Sequence, residues 1–437
     1  MKKLLLFLIL LVPVYSPRAR AETLDLNKFL DLVMEHSKDI KLAEQERHMA
    51  RMQKKEAVST ALPKVALEAG YTRNLSDYYM YFDMSAFDPQ ATGVAKAPVK
   101  RDNEFSTTIA LQQTLFSSSV GSAIKAARQY SKLTDLVYEA TEDAIKNAAK
   151  NIFYQSLLLE KVWEVNLRAE ENAHENYMMM RNKYENGVIS EFELLQAEVR
   201  WKNAVPVTAE SLRNYNLALN NMKNWAGIAV EEDIVLQGSF DEVPAMPEGR
   251  DLESVLTKRP DFNALLWEEK LRNTNVTATK GSFLPTLKGT IAYAYSAQSN
   301  EFKLDEENNL YFAGVTLSWP IFTGGYRCAQ VQKAKIDLTK TRIKIDQTRE
   351  DIFNELSNVR LRLKEAHARI ASAEAILKTA SKAFKIAEVT SKNGLATQLE
   401  LKDARIAYDQ ATLNNYAAKY DFLAAYFDWE KAIGSVQ

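Results

Sequence analysis

The chain has 437 residues, 46% apolar and 26% charged, which is the composition of a folded protein. A net charge of −1 gives no basic bias toward nucleic acid, and a single cysteine, Cys328, excludes an internal disulfide framework or a cysteine-cluster metal site. Only 14 glycines and 11 prolines are present, and neither residue occurs from Ser122 to Asn186 or from Tyr326 to Asn393. A compact enzyme with many turns needs such residues far more often.

At the N-terminus Lys2 and Lys3 precede an apolar run from Leu4 to Val14, followed by Ala19-Arg20-Ala21. This is the pattern of a secretory signal peptide over residues 1–21. Its removal takes away four positive charges and no acid, moving the net charge from −1 to about −5. Position 22 is Glu, so no lipidated cysteine is expected there. No later segment reads as a transmembrane helix, so entry into a membrane would require a β-barrel.

Beyond the leader the chain reads as two copies. Leu62-Pro63 recurs as Leu284-Pro285, and Asp39 pairs with Asp261, both at an offset of about 222 residues. Farther along, Ile109–Phe116 matches Val315–Phe322 at an offset of about 206, and Asn186–Leu194 matches Asn393–Leu401 at about 207. Two copies are too few for a solenoid.

Each Leu-Pro leads into strand-like alternation. The predicted strands are about 64–73 and 105–116 in the first copy, and about 286–296 and 310–320 in the second. Their length suits a tilted membrane-spanning strand, although an ordinary half-buried hairpin shows the same alternation. The loop from Leu75 to Glu104 is long and holds Tyr78, Tyr79, Tyr81, Phe82 and Phe87, of which Tyr78–Phe82 reads as a continuation of the strand.

The turn-free stretches follow, as helices over about 117–185 and 326–392. In the second, Ile352, Leu356, Val359, Leu363, Ala366, Ile370, Ala373, Leu377, Ala380, Phe384 and Ala387 keep a 4-3 spacing, which is a coiled-coil seam. Asn186-Gly187 and Asn393-Gly394 end these helices, and return helices are expected over about 190–226 and 397–433, the first kinked or broken at Pro206. The resulting division is repeat 1 over 22–226, a Gly- and Pro-bearing linker over 227–259, and repeat 2 over 260–437. Four strands cannot close a membrane barrel, and open edges are not tolerated in lipid, so other copies must supply the rest. Two copies give a filled barrel, and three give twelve strands and an open duct.

Phe283-Leu-Pro285, Leu317-Ser-Trp-Pro-Ile-Phe-Thr-Gly-Gly325, Arg259-Pro-Asp261 and the paired helix turns at Gly187 and Gly394 resemble the TolC-like outer membrane factors, the outer membrane efflux proteins. The resemblance runs from about residue 22 to the C-terminus. The first copy departs from it, with Thr114 where the second has Pro320, and Ser118-Ser119 in place of Gly324-Gly325. It implies a homotrimer with a twelve-stranded barrel in outer-membrane lipid, continued by a periplasmic α-helical coiled-coil barrel. The implied function is a passive exit duct for efflux or type I export, gated at its periplasmic end. A periplasmic adaptor (membrane fusion protein) couples it to an inner-membrane transporter, and no cofactor or nucleic acid is involved.

The four histidines, His36, His48, His174 and His367, lack metal-ligand spacing, and no nucleophile–base set, phosphate loop or zinc motif occurs, which argues against an enzyme. Glu400 and Asp403 are three apart and share a helix face just past the second turn. On their own they read as a solvated acidic face, while the resemblance implies carboxylate rings at a pore constriction. It also implies Glu193 as a gate residue, and adaptor contacts at Gly187, Val188, Gly394 and Leu395. Ser391 and Ala396 stand where the family's gate has tyrosine and arginine. A coiled-coil structural protein of the periplasm, without a pore, is the competing reading.

Overall fold

The computed structural model describes residues 22–84, 90, 92–393, 395 and 397–436; the expected leader, Phe87, Gly394 and Ala396 lie outside them. In chain order the first half contains β1 (Glu22–Leu24), α1 (Leu26–His36), α2 (Lys38–Ser59), β2 (Lys64–Arg73), β3 (Tyr79–Asp83), β4 (Val94–Pro98), β5 (Asn103–Phe116), α3 (Ser118–Glu185) and α4 (Glu191–Ala226). There follow β6 (Ile234–Leu236), α5 (Leu252–Lys258), α6 (Pro260–Gly281), β7 (Thr286–Ser299), β8 (Asn308–Ser318), α7 (Tyr326–Lys392) and α8 (Gln398–Ala432). The series short helix, helix, strand, strand, long helix, return helix thus occurs twice.

Two compact units share these elements. One comprises Gln45–Val137 and Phe262–Thr348. Its sheet has the order β2-β5-β7-β8, every neighbouring pair antiparallel. Alternation gives the sheet two different faces. Val65, Leu67 and Tyr71 align across the register with Leu111, Ile109 and Phe105, and these in turn with Ile291, Tyr293 and Ala297. The opposite face carries Glu68, Gly70, Thr108, Ser106, Ala294 and Ser296. All residues of the two outer strands, β2 and β8, are exposed.

Aromatic residues mark both ends of the apolar face. Tyr71, Phe105 and Phe302 cluster at one end, with ring centroids 5.1–5.5 Å apart and Phe302 edge-on to the other two. Phe116, Phe283, Trp319 and Phe322 are exposed at the other, where the Trp319 indole N–H donates to the Phe283 carbonyl at 3.0 Å. Phe105 to Phe116 covers roughly 37 Å along the strand, or about 28 Å of height at a tilt of ~40°.

The loop between β2 and β5 departs from the expected continuation. β3 and β4 form a two-stranded sheet of their own, with Tyr79 opposite Pro98 and Asp83 opposite Val94. Asn74 explains the separation: its backbone N–H donates to the Asp102 carbonyl and its side chain to Arg101 and Glu104, closing the larger sheet before Tyr79.

Helices in this unit contact one another in the order α2-α3-α6-α7. Arg47 pairs with Asp135 at 3.0 Å, Gly281 lies against Ser118, and Arg342 pairs with Glu269 at 2.8 Å. Arg327, buried at the start of α7, fixes the corner after β8: it donates to Thr323, to the Ser282 carbonyl and to the Pro320 carbonyl, and lies over the Phe283 ring.

The other unit comprises the segment up to Glu44, Tyr138–Asp261 and Arg349–Gln437. Its main core joins Phe29 and Val33 of α1 to Ile145, Ala149 and Phe153 of α3, Tyr215 and Met222 of α4, and Leu236 of β6. β1 and β6 pair in parallel. Phe240, in the linker, packs with Leu157 of α3 and Leu423 and Phe427 of α8. Contacts run α4-α3-α8-α7: Trp163 stacks on Tyr215 (5.8 Å), Lys150 pairs with Glu430 (2.8 Å), and Arg362 pairs with Asp428 (2.8 Å). The coiled-coil seam is buried at Ile352, Leu356, Val359, Leu363, Ala366 and Ala373, and half-buried from Leu377 to Ala387.

Pro206 lies inside α4 without ending it, so of the expected kink or break the break does not occur. It lies on an exposed stretch, as does Lys202, whose carbonyl loses its helical donor, so water can satisfy that group.

Candidate functional site

The residues singled out in sequence gather at the two helix turns of the second unit. The first turn closes as a Schellman motif. Gly187 has φ +72°, its N–H donates to the Tyr184 carbonyl at 2.8 Å, and the Val188 N–H reaches back to Lys183 at 2.9 Å. At the second turn the Leu395 N–H donates to the Thr390 carbonyl at 2.9 Å, the same six-to-one span. Val188 and Leu395 are 69% and 81% exposed, so both turns present an aliphatic side chain to solvent.

Each return helix then starts with a capping box. Glu193 Oε2 accepts from the Ser190 backbone N–H (3.0 Å) and hydroxyl (3.2 Å), while the Glu193 N–H donates to Ser190 Oγ. Glu400 Oε2 accepts from the Thr397 N–H (2.8 Å) and hydroxyl (3.0 Å), with the Glu400 N–H donating to Thr397 Oγ1. The Thr397 backbone N–H, then its hydroxyl, hold the Glu400 carboxyl below its ordinary value. Ser190-x-x-Glu193 and Thr397-x-x-Glu400 are readable signatures that the spacing argument passed over.

Asp403 lies one turn farther along α8, exposed, with no hydrogen bond or ion pair among the described residues. Of the two acids expected at a constriction, Glu400 is therefore engaged in a local cap and Asp403 is free. Glu193 is likewise engaged in its cap.

Farther along α8, Arg405 and Asp409 pair with each other. Arg405 Nε donates to both oxygens of Asp409 at 3.1 Å and lies 5.0 Å from the centre of the Phe384 ring. Phe384 in turn stacks on Tyr408. Burial pushes the Asp409 carboxyl up, opposed by the charges of Arg405 and Arg168. Among the described residues no group of three His, Cys, Asp or Glu could hold a metal, and no helix is long and apolar enough to cross a membrane.

The profile of the family described as "Outer membrane efflux protein" matches residues 29–227 and 252–435. The chain belongs to the outer membrane efflux protein family. The membership makes it an outer-membrane protein extending into the periplasm, in a transport family rather than an enzyme family. Among its relatives, the alkaline protease secretion protein AprF of Pseudomonas aeruginosa is 21% identical over 319 residues, covering 71% of this chain and 63% of AprF. The toluene efflux pump outer membrane protein TtgC of Pseudomonas putida is 22% identical over 207 residues, covering 45% of this chain and 41% of TtgC. The matched region thus spans less than two thirds of either relative. The fold resembles the Campylobacter jejuni CmeC outer membrane channel (TM-score 0.78, 21% identity, 94% of this chain and 85% of that one). It also resembles the Neisseria gonorrhoeae MtrE channel in its open state (TM-score 0.75, 19% identity, 94% and 89%).

Proposed function

We propose that the protein is a passive exit duct in the outer membrane, built from three copies and coupled to an inner-membrane transporter by a periplasmic adaptor. The observation that carries this reading is the pair of open edges on the four-stranded sheet. β2 and β8 are exposed along their whole length and carry Val65, Leu67, Val315 and Leu317, and lipid does not tolerate such edges unpaired. Joining β8 of one copy to β2 of the next closes twelve strands in a trimer, with the apolar face outward and the Glu68/Ser106/Ser296 face toward water. The helices support the same closure, because the contact order α4-α3-α8-α7 leaves α4 and α7 at its ends. On this reading the two halves are tandem copies, Asp403 contributes a ring of three carboxylates near the periplasmic entrance, and Val188 and Leu395 meet the adaptor.

Chemical cross-linking in detergent and single-channel recording test the reading together. A trimer that conducts, with cation preference weakened by Asp403→Asn and little changed by Glu400→Gln, is the expected result. A stable monomer without conductance would return the protein to the non-pore coiled-coil alternative.

A further inference from the structure

The polar face of the four-stranded sheet holds two cations near the end marked by Phe116 and Trp319. β2 begins at Lys64, directly after Leu62-Pro63, and β7 reaches Lys288 shortly after Leu284-Pro285. Lys64 stands opposite Gln112, which in turn stands opposite Thr290, while Lys288 stands opposite Thr114 and Thr316. Side chains alternate along a strand, so both lysines share the face of Glu68, Ser106 and Ser296. Two strand spacings and two residues separate them, which is roughly 12 Å between their Cα atoms. Both are exposed, and neither side chain makes a hydrogen bond or an ion pair among the described residues.

No acid of the sheet is within reach of them. Glu68 shares the face but lies four residues beyond Lys64, about 14 Å along the strand. Glu104 is the one acid of β5, stands opposite Thr72 at the other end, and β7 has none. β8, the strand that would meet β2 of the next copy, contains no Asp or Glu, so no register of that joint gives Lys64 a partner. The wider charge pattern agrees. The unit of Gln45–Val137 and Phe262–Thr348 has about six more basic than acidic residues, while the rest of the chain beyond residue 21 has about eleven more acidic than basic. About half of that unit's acids lie in the loops 74–102 and 300–307, at the far end of the strands from Lys64 and Lys288.

We infer that Lys64 and Lys288 form a basic band around the base of the barrel lumen, a binding site for the carboxylate or phosphate groups of a multivalent anion passing through the duct. The inference rests on the trimeric duct, in which three copies bring six ammonium groups into a lumen on the order of 25 Å across between backbones. At physiological salt the screening length is about 8 Å, shorter than the spacing of the two lysines. A small anion therefore meets one lysine at a time, whereas a multiply charged solute engages several. Basic side chains favour anions in a pore as carboxylates favour cations. The duct thus carries filters of opposite sign, Asp403 at its helical end and the lysine band at the base of the barrel.

The test is single-channel recording on the purified full-length protein, with inositol hexakisphosphate added on the barrel side and raffinose as an uncharged solute of similar size. The hexakisphosphate is expected to interrupt the current and raffinose to leave it alone. Lys64→Gln and Lys288→Gln should each weaken the block several-fold and together by about tenfold or more, while the pair Lys64→Arg and Lys288→Arg keeps it. Lowering the salt from 1 M to 0.1 M lengthens the screening distance from about 3 to about 10 Å and should tighten the block. The reversal potential of the double glutamine variant should move toward cations, opposite in sign to the shift in Asp403→Asn. The band is overturned if the hexakisphosphate does not block the parent, if raffinose blocks it equally, or if the double glutamine variant is blocked as the parent is. Failure of the duct itself is distinct: no variant, nor the parent, would then conduct at all.

Discussion

Apart from the β3–β4 pair of the first half, the two halves repeat one series of helices and strands, yet they build the junction between their first two helices with different chemistry. In the first half the junction between α1 and α2 is Ser37, whose hydroxyl accepts from the Ile40 N–H at 3.4 Å. In the second, the corresponding junction between α5 and α6 is Arg259, with a side chain only 8% exposed. Its guanidinium donates to Asp261, to Glu355 of α7 and to the Ala432 carbonyl at the end of α8. Burial works against that charge, but the bonds to Asp261 and Glu355 outweigh it and hold the group protonated. One fold position can thus be served by a local hydroxyl cap or by a buried ionic hub. The hub ties α6, α7 and α8 together, whereas the hydroxyl organises a single turn.

The sharpest way to break the comparison is to remove each anchor. Arg259→Ala leaves Glu355 and the Ala432 carbonyl without this donor, and because both carboxylates are partly solvated it is expected to cost about 1.5–3 kcal/mol in urea unfolding of the detergent-solubilised protein. Ser37→Ala is expected to cost about 1 kcal/mol or less. Equal losses would mean that the hub is no more than a local cap.

Next in size are the glycines that end the return helices, Gly227 at φ +71° and Gly434 at φ +65°. Each returns to the short-helix junction of its own half. A Cβ on Gly227 would meet the His36 ring at 2.6 Å, and one on Gly434 would meet the Lys258–Arg259 backbone at 3.0–3.1 Å. Alanine at either site incurs roughly 1 kcal/mol for the left-handed backbone, plus the clash. His36→Ala should recover part of the clash in Gly227→Ala, because it removes the ring at 2.6 Å but keeps the His36 Cβ at 2.9 Å. No substitution near Gly434 can do the same, because the obstacle is backbone. A thermal-shift comparison of the single and double variants measures this difference.

The same contrast explains what could be read from the sequence. The longest turn-free stretch was legible as helix: α7 occupies 326–392, where neither Gly nor Pro occurs. Pro206 does not break α4 because propensity describes an isolated helix, whereas α4 is held by its packed face, including Tyr215 and Met222. The separate β3–β4 sheet was hidden because alternation does not say which strand is the partner. At the turns, the acids were visible but their roles were not. Glu400 and Asp403 look alike in spacing, and only the reach of Thr397 to Glu400 separates a cap from a free carboxylate.

The smallest expected effect concerns those caps. Ser190→Ala and Thr397→Ala each remove one capping hydroxyl, a loss of about 1 kcal/mol confined to the first turn of the helix. Hydrogen exchange at Ser190–Leu194 and Thr397–Leu401 should detect it, with global unfolding nearly unchanged. Acid adds a second reading at Thr397. The Glu400 carboxyl is depressed below its ordinary 4.5, so its ionised form binds better in the folded cap than in the unfolded chain. Its contribution is therefore complete above the ordinary glutamate range and is lost as pH falls through the lowered value. Protection at Thr397–Leu401 should fade across that acidic window in the parent. In Thr397→Ala the hydroxyl bond is absent but the backbone N–H bond to the carboxylate remains, so the fade should shrink without vanishing. An unchanged acid response would place the depression of Glu400 wholly on the backbone donor, and complete loss would place it on the hydroxyl.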